Sequence, residues 1–282
     1  MRTWWTRAVA VLAIAVSMLF GSAPFVHAQN TCAGGGGTGG TGGGDAGASL
    51  PTLYAALPLS FERNEGQVDS RVTFLGRGAD YAVYLTATEA VLAMSTPVTD
   101  PGGVRRFQSE NLKMTLVGAN PEPRVAGRDA LPGKRHYFRQ DRATWRTNVP
   151  TYAKVTYEAV YPGVDLVYYG NQRRLEYDFV VAPGADPHAI TLAFTGAKTM
   201  RLDRDGALVL ALAAGDISQP APIVYQEVNG VRASIPGRYV VKDTTSVGFD
   251  VGPYDTSRPL VIDPTLVYST YLGGSCATGD AE

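Results

Sequence analysis

From Leu57 onward the apolar positions of the chain recur every second residue. Val72 to Leu75, Tyr81 to Leu85 and Ala90 to Met94 are short alternating runs split by Gly, Asp or Thr, which predicts consecutive strands. Leu112 to Val117 and Asn148 to Tyr157 continue the pattern. So do Ile190 to Phe194, Met200 to Leu202, Ala207 to Leu212, Ile223 to Val228, Val231 to Ile235, Arg238 to Val241 and Val247 to Val251. Asp205-Gly206 and Asn229-Gly230 have the chemistry of short hairpin turns, because these residues accept positive φ. No window of about 12 residues in this region has the 3.6 period of an amphipathic helix. The expected fold is all-β: a β-sandwich-like or related closed domain of many short antiparallel strands.

The clearest hairpin runs from Val164 to Val181. Gly170-Asn171-Gln172-Arg173 supplies turn residues, and a tip there pairs Tyr169 with Arg174. Val164, Leu166 and Tyr168 then share a face with Leu175, Tyr177, Phe179 and Val181, and that wholly apolar face must be core. The opposite face carries Asp165, Arg174, Glu176 and Asp178, with Asp165 directly across from Asp178.

The flanks differ from this pattern. Arg2 and Arg7 precede an apolar run from Ala8 to Phe20, and Val26-His27-Ala28 offers small residues for cleavage before Gln29. Residues 1–28 therefore read as a secretory signal peptide. The apolar run falls short of the ~20 residues that span a bilayer, so no stable membrane span is expected after cleavage. Residues 29–50 are Gly-dominated and read as a flexible linker, since Gly buries nothing and loses much entropy on ordering. No Gly-Lys-Ser/Thr ending supports a phosphate-binding loop there. Residues 51–264 form the all-β domain, with Asp263-Pro264 as its boundary, and 265–282 stand apart.

Composition narrows the function classes. The chain holds 32 Gly, 18 Pro and 15 Tyr with 18% charged residues, as frequent turns between aromatic strands require. A net charge of −1 gives no overall basic excess for nucleic acid. Cys32 and Cys276 flank the domain; export permits a disulfide between them, but free thiols fit the flexible flanks.

Asp165, Glu176 and Asp178 are the leading catalytic candidates, since acids facing across a hairpin share a proton or act as acid and base on a glycoside. Asp165 and Asp178 are also the candidates for holding calcium. A solvated strand face, with Arg173 or Arg174 relieving the repulsion, is the simpler account, and no cofactor is expected. Asn64, Glu65 and Gln67 suit backbone capping better than ligand contact. His136 and His188 lack metal-ligand spacing, and no Gly-x-Ser-x-Gly elbow occurs. Trp145, Tyr81, Tyr84, Tyr152 and Tyr157 are candidate sugar-stacking rings, although such rings in β domains are more often core.

Phe61-Glu-Arg-Asn-Glu-Gly-Gln67, Tyr161-Pro-Gly-Val-Asp-Leu166, Leu175-Glu-Tyr-Asp-Phe179 and Val181-Ala-Pro-Gly-Ala-Asp186 follow one another in order. Gln219-Pro-Ala-Pro222, Tyr225-Gln226 and Leu266-Val-Tyr-Ser-Thr-Tyr-Leu-Gly-Gly274 come after them. Over roughly Leu57 to Ser275 the chain resembles the N-terminal domain of secreted bacterial proteins with seven-bladed β-propeller (SBBP) repeats, a domain of unknown function. The resemblance implies an extracellular or cell-surface location and propeller repeats as partners. It also implies that 265–282 begins a propeller repeat that is truncated after Gly274. A non-catalytic structural or interaction module is the favoured function, with cell-surface proteins or glycans as further partners. A carbohydrate-binding domain or glycoside-acting hydrolase using the hairpin carboxylates is the alternative. Mass spectrometry of the exported protein should find Gln29 at its N-terminus; a mature product that retains Met1 overturns the signal-peptide reading.

Overall fold

In the computed structural model the described residues are 59–78, 81–99, 105–138, 141–171, 174–213, 215–265 and 267–268. The signal segment, the Gly-rich linker, both cysteines, Gln172 and Arg173 lie outside them.

Among the described residues the regular secondary structure is nearly all strand. The first strands are β1 (Phe61–Arg63), β2 (Phe74–Arg77), β3 (Tyr81–Leu85), β4 (Glu89–Thr99), β5 (Arg105–Leu116), β6 (Arg124–Tyr137) and β7 (Arg146–Tyr161). Then come β8 (Val164–Asn171), β9 (Arg174–Val181), β10 (Thr191–Thr195), β11 (Thr199–Leu202), β12 (Leu208–Ala211) and β13 (Asp216–Gln219). Last are β14 (Ile223–Val228), β15 (Val231–Ile235), β16 (Gly237–Val241), β17 (Ser246–Val251), β18 (Leu260–Asp263) and β19 (Val267–Tyr268). Two 3-10 turns, Arg142–Thr144 and Pro187–Ala189, interrupt them. Not all strands are short: β4 to β7 are the long ones.

The architecture turns on β7. One of its edges is lined by β6 in a single register from Arg124↔Glu158 to Leu131↔Thr151. Its other edge is shared end to end: β1 pairs at Thr151 and Tyr152, and β8 pairs from Lys154 to Tyr157. Two half-sheets therefore leave the same edge. One runs β1-β2-β3-β4-β5-β10-β17-β16, the other β8-β9-β18-β14-β15. The path ends at β15 and β16 do not pair, so the sheet is open; the closed form of the sequence expectation is not what forms. A separate four-stranded sheet, β11-β12-β13-β19, completes the fold.

The halves share one core. Val83, Leu92, Leu112, Met114 and Phe194 of the first half face Leu175 and Tyr177 of the second across a small apolar cavity. A run of rings, Tyr157–Tyr168–Tyr177–Phe179–Phe249–Tyr239, crosses from β7 to β16 with successive centroids 5.5 to 5.9 Å apart. Gln219 of the small sheet is fully buried, and its Oε1 accepts from Tyr177 (2.9 Å) and Tyr239 (3.3 Å). One amide thus joins both halves and the small sheet. Asn229, Gly206 and Gly230 adopt positive φ, as the two hairpin turns require.

The β8–β9 hairpin keeps the expected faces but not the expected register. Asn171 pairs with Arg174, so the turn has two residues, and Asp165 stands opposite Val180 rather than Asp178. Gly170 is not a turn residue. A Cβ there would lie 2.4 Å from Leu59 Cβ, so glycine permits a close approach inside the strand. The slip is two residues, which preserves the parity that decides burial. Thr265 bridges to Glu176, and Val267–Tyr268 pairs with β13, so the segment after Pro264 docks on its own domain rather than standing free.

Leu166 is fully buried. Leu166→Asp should cost on the order of 4 kcal/mol or abolish folding, because an unpaired charge enters the core. Thermal unfolding checks this, and a normally melting variant would show the hairpin parity to be wrong.

Candidate functional site

With Val164, Leu166 and Tyr168 turned inward, their alternates Asp165, Val167 and Tyr169 face outward on β8. On β9 the outward residues are Glu176, Asp178 and Val180, and on β18 they are Val261 and Asp263. Ile262 pairs with Phe179, and Thr265 bridges to Glu176. The intervening position sets Asp263 across from Asp178. Two acids on neighbouring strands confront each other there.

Asp178 is half-buried, and the Tyr169 hydroxyl donates to its Oδ1 at 2.9 Å. Asp263 Oδ1 is buried, and among the described residues no donor reaches it. Burial, and then the charge of Asp263, push Asp178 up to about 6 despite the Tyr169 donor. Burial also raises Asp263, while Arg232 opposes the rise and a proton offered from Asp178 stabilises its anion. The Arg232 guanidinium sits 4.2 Å over the Tyr225 ring on the adjoining strands. Burial and the Asp178 charge push the Tyr169 phenol up, so it stays a donor. The arrangement can hold one proton between two carboxylates well above the usual carboxylate range, because ionising both in a half-buried place is costly.

The other candidates are spread out. Asp165 is exposed, and its Oδ1 accepts from Ala159 N at 2.7 Å. Ala159 has φ 54°, where the β7–β8 register slips between Tyr157 and Tyr161. Asp165 therefore caps a bulge and is not the partner of Asp178. Glu176 is buried, between Tyr169 and Thr265 on the flanking strands. Among the described residues no three His, Cys, Asp or Glu side chains converge as a metal site. The expected role of Arg173 or Arg174 in relieving repulsion falls on side chains outside the description.

His136 Nδ1 accepts from Asn148 N at 3.3 Å, and His188 Nδ1 lies 2.9 Å from Asp186 Oδ1. Asn64 Nδ2 donates to Asp69 O (2.8 Å) and Val72 O (2.9 Å), and Gln67 Nε2 donates to Arg63 O (2.9 Å). Glu65 joins through its backbone: its N–H donates to the Gln67 side chain and its carbonyl accepts from Arg146 Nε. Tyr157 is core, Tyr81 and Tyr152 pack against the core, and Tyr84 is half-buried on β3. These tyrosines make no exposed row; Trp145 is exposed, elsewhere.

A family model described as a domain of unknown function, DUF7948, matches residues 61–265. The chain belongs to this family. No curated protein and no solved structure matches it. The match spans β1 to Thr265, the residue that bridges Glu176. Within this DUF7948 domain Gln226 clamps the loop before β18. Its Nε2 donates to Asp255 O (2.8 Å) and its Oε1 accepts from Asp255 N (2.9 Å).

Sequence reasoning missed Asp263, Tyr169, Arg232 and Tyr225 as neighbours of Asp178. The available signal was Leu260-Val-Ile262, whose alternation turns Asp263 outward, but Asp263-Pro264 has the chemistry of a boundary.

A carboxyl whose folded value lies above its unfolded one stabilises the fold fully below the unfolded value. That stability is lost as pH rises through the folded value. For Asp178 the window runs from about pH 4 to above pH 6. Asp178→Asn should match the parent at pH 4 and exceed it at pH 8 by on the order of 1–2 kcal/mol, after discounting for its partial exposure. Thermal unfolding across this range decides it; parallel curves would show that Asp178 carries no shifted proton.

Proposed function

We propose that the domain is a secreted, non-catalytic structural and interaction module that precedes and braces β-propeller repeats. The observation that supports it best is where the polar residues of the motifs that carry the resemblance place their hydrogen bonds. Asn64 and Gln67 tie the turn after β1, Asp165 ties the β7–β8 bulge, Gln219 ties the ring stack, and Gln226 ties the 255–259 loop. Groups so engaged are braces, not reagents. The hairpin carboxylates named for hydrolysis do not form a facing pair, since Asp165 is opposite Val180.

The exit of the chain fits a brace. Residues after β18 bridge Glu176 and then join β13, so a segment attached after Tyr268 starts from the small sheet. Export of this module is expected from the signal-like residues 1–28.

Propeller repeats expressed with and without the domain ahead of them test the proposal. The repeats should melt several degrees higher with the domain present, and the exported chain should release no reducing ends from polysaccharides. Equal melting overturns the bracing role. Hydrolysis that disappears in Asp178→Asn overturns the non-catalytic one.

A further inference from the structure

The long β6–β7 hairpin differs electrostatically from the rest of the chain. Residues 124–158 contain eight Arg and Lys against three Asp and Glu, a net +5, within a chain of net −1; all other residues together carry −6. The hairpin is also open to solvent, with most of β6 exposed. Part of its charge is neutralised internally. Arg124 and Arg128 reach Glu158, Lys154 reaches Asp129, and the buried Glu62 draws in Arg135. The excess remains toward the tip.

At that tip are rings. Tyr137 pairs with Arg146, so Phe138 and Trp145 flank the connecting loop. Phe138 is 64% exposed and Trp145 37%. Their rings meet edge-to-face at 4.9 Å, and the His136 ring lies parallel to Phe138 at 6.1 Å. The Arg142 guanidinium stands 5.4 Å over Trp145. An edge-to-face pair closes a hairpin end and needs no further exposure. Yet Phe138, just past the end of β6, keeps most of its surface in water.

We propose that the tip of the β6–β7 hairpin binds an acidic polysaccharide. Ring faces offer the C–H faces of a sugar flat apolar contact, and the surrounding guanidinium and ammonium groups meet its carboxylates or sulfates. Each requirement selects against one alternative: a neutral glycan leaves the positive charge at the tip unanswered, and a bare polyanion leaves the rings unanswered. The site is separate from the Asp178–Asp263 pair and requires no propeller, so it stands or falls apart from the bracing role.

Affinity electrophoresis of the exported chain through gels containing polygalacturonate, dextran or single-stranded DNA tests it. Polygalacturonate should retard the chain, with affinity falling as salt rises, and dextran should not. Phe138→Ser with Trp145→Ser should weaken binding about tenfold or more, in line with the loss of one or two ring contacts. Lys134→Gln with Arg142→Gln should weaken it and flatten the salt dependence. All four side chains are exposed, and unchanged melting of the variants confirms that folding is not at issue. No retardation by polygalacturonate overturns the proposal. Equal retardation by dextran, DNA binding as tight as polygalacturonate binding, or indifference to the ring substitutions does the same.

Discussion

Burying a tyrosine ring obliges the hydroxyl at its end to find a partner inside the protein. This chain buries Tyr157, Tyr177 and Tyr239 in one run of rings, so the partners of their hydroxyls must come from elements that reach the core from elsewhere. Tyr157 uses the Thr86 carbonyl at 2.7 Å, between β3 and β4. Tyr177 and Tyr239 use the Gln219 amide. The two bonds to Gln219 are inter-sheet ties as well as the satisfaction of donors. The two half-sheets and the small sheet cannot slide over one another without stranding a buried hydroxyl, so an apolar core that would tolerate many packings is held to one.

The β7 strand imposes a second constraint. A strand with β6 along one edge from Arg146 to Glu158 has only the other edge left for β1 and β8. Meeting both end to end splits the sheet in two, and the layers fold together because each has one apolar face. Ala159 at positive φ and the capping carboxylate of Asp165 accommodate the irregularity just beyond this point. The segment from Tyr161 to Leu166 is therefore architectural. Tyr161 itself donates from its hydroxyl to Val117 O or Thr191 O, joining β7 to the ends of β5 and β10.

Alternation made much of this legible. The inward faces of β8 and β9 follow from period two, and parity survived even though the register moved by two residues. The register failed because Gly170-Asn171 has turn chemistry, whereas Gly170 is glycine to admit Leu59. The strand β6 was invisible for a different reason. It is an exposed strand of charged residues with Gly127, Pro132 and Gly133, and nothing in such a segment alternates against a core. The same charges, with the register shifts after Leu131 and Arg135, keep its unpaired side from recruiting another strand. The pair Asp178–Asp263 joins residues far apart in the chain, and only strand order reveals such neighbours. The proton-holding chemistry at the candidate site was thus the least readable part.

The route of the chain beyond β18 has a mechanical consequence. Val267–Tyr268 is held to β13 by two residue pairs, and Thr265 to Glu176 by one bridge. β18 behind them is hydrogen-bonded on both edges, to β9 and β14. Tension from any segment attached after Tyr268 first meets the weak two-pair contact. It then reaches a strand clamped on both sides, whose bonds must share the load. The exit therefore behaves as a fuse in series with an anchor: a small strain detaches β19 and dissipates, while the sandwich behind it stays intact.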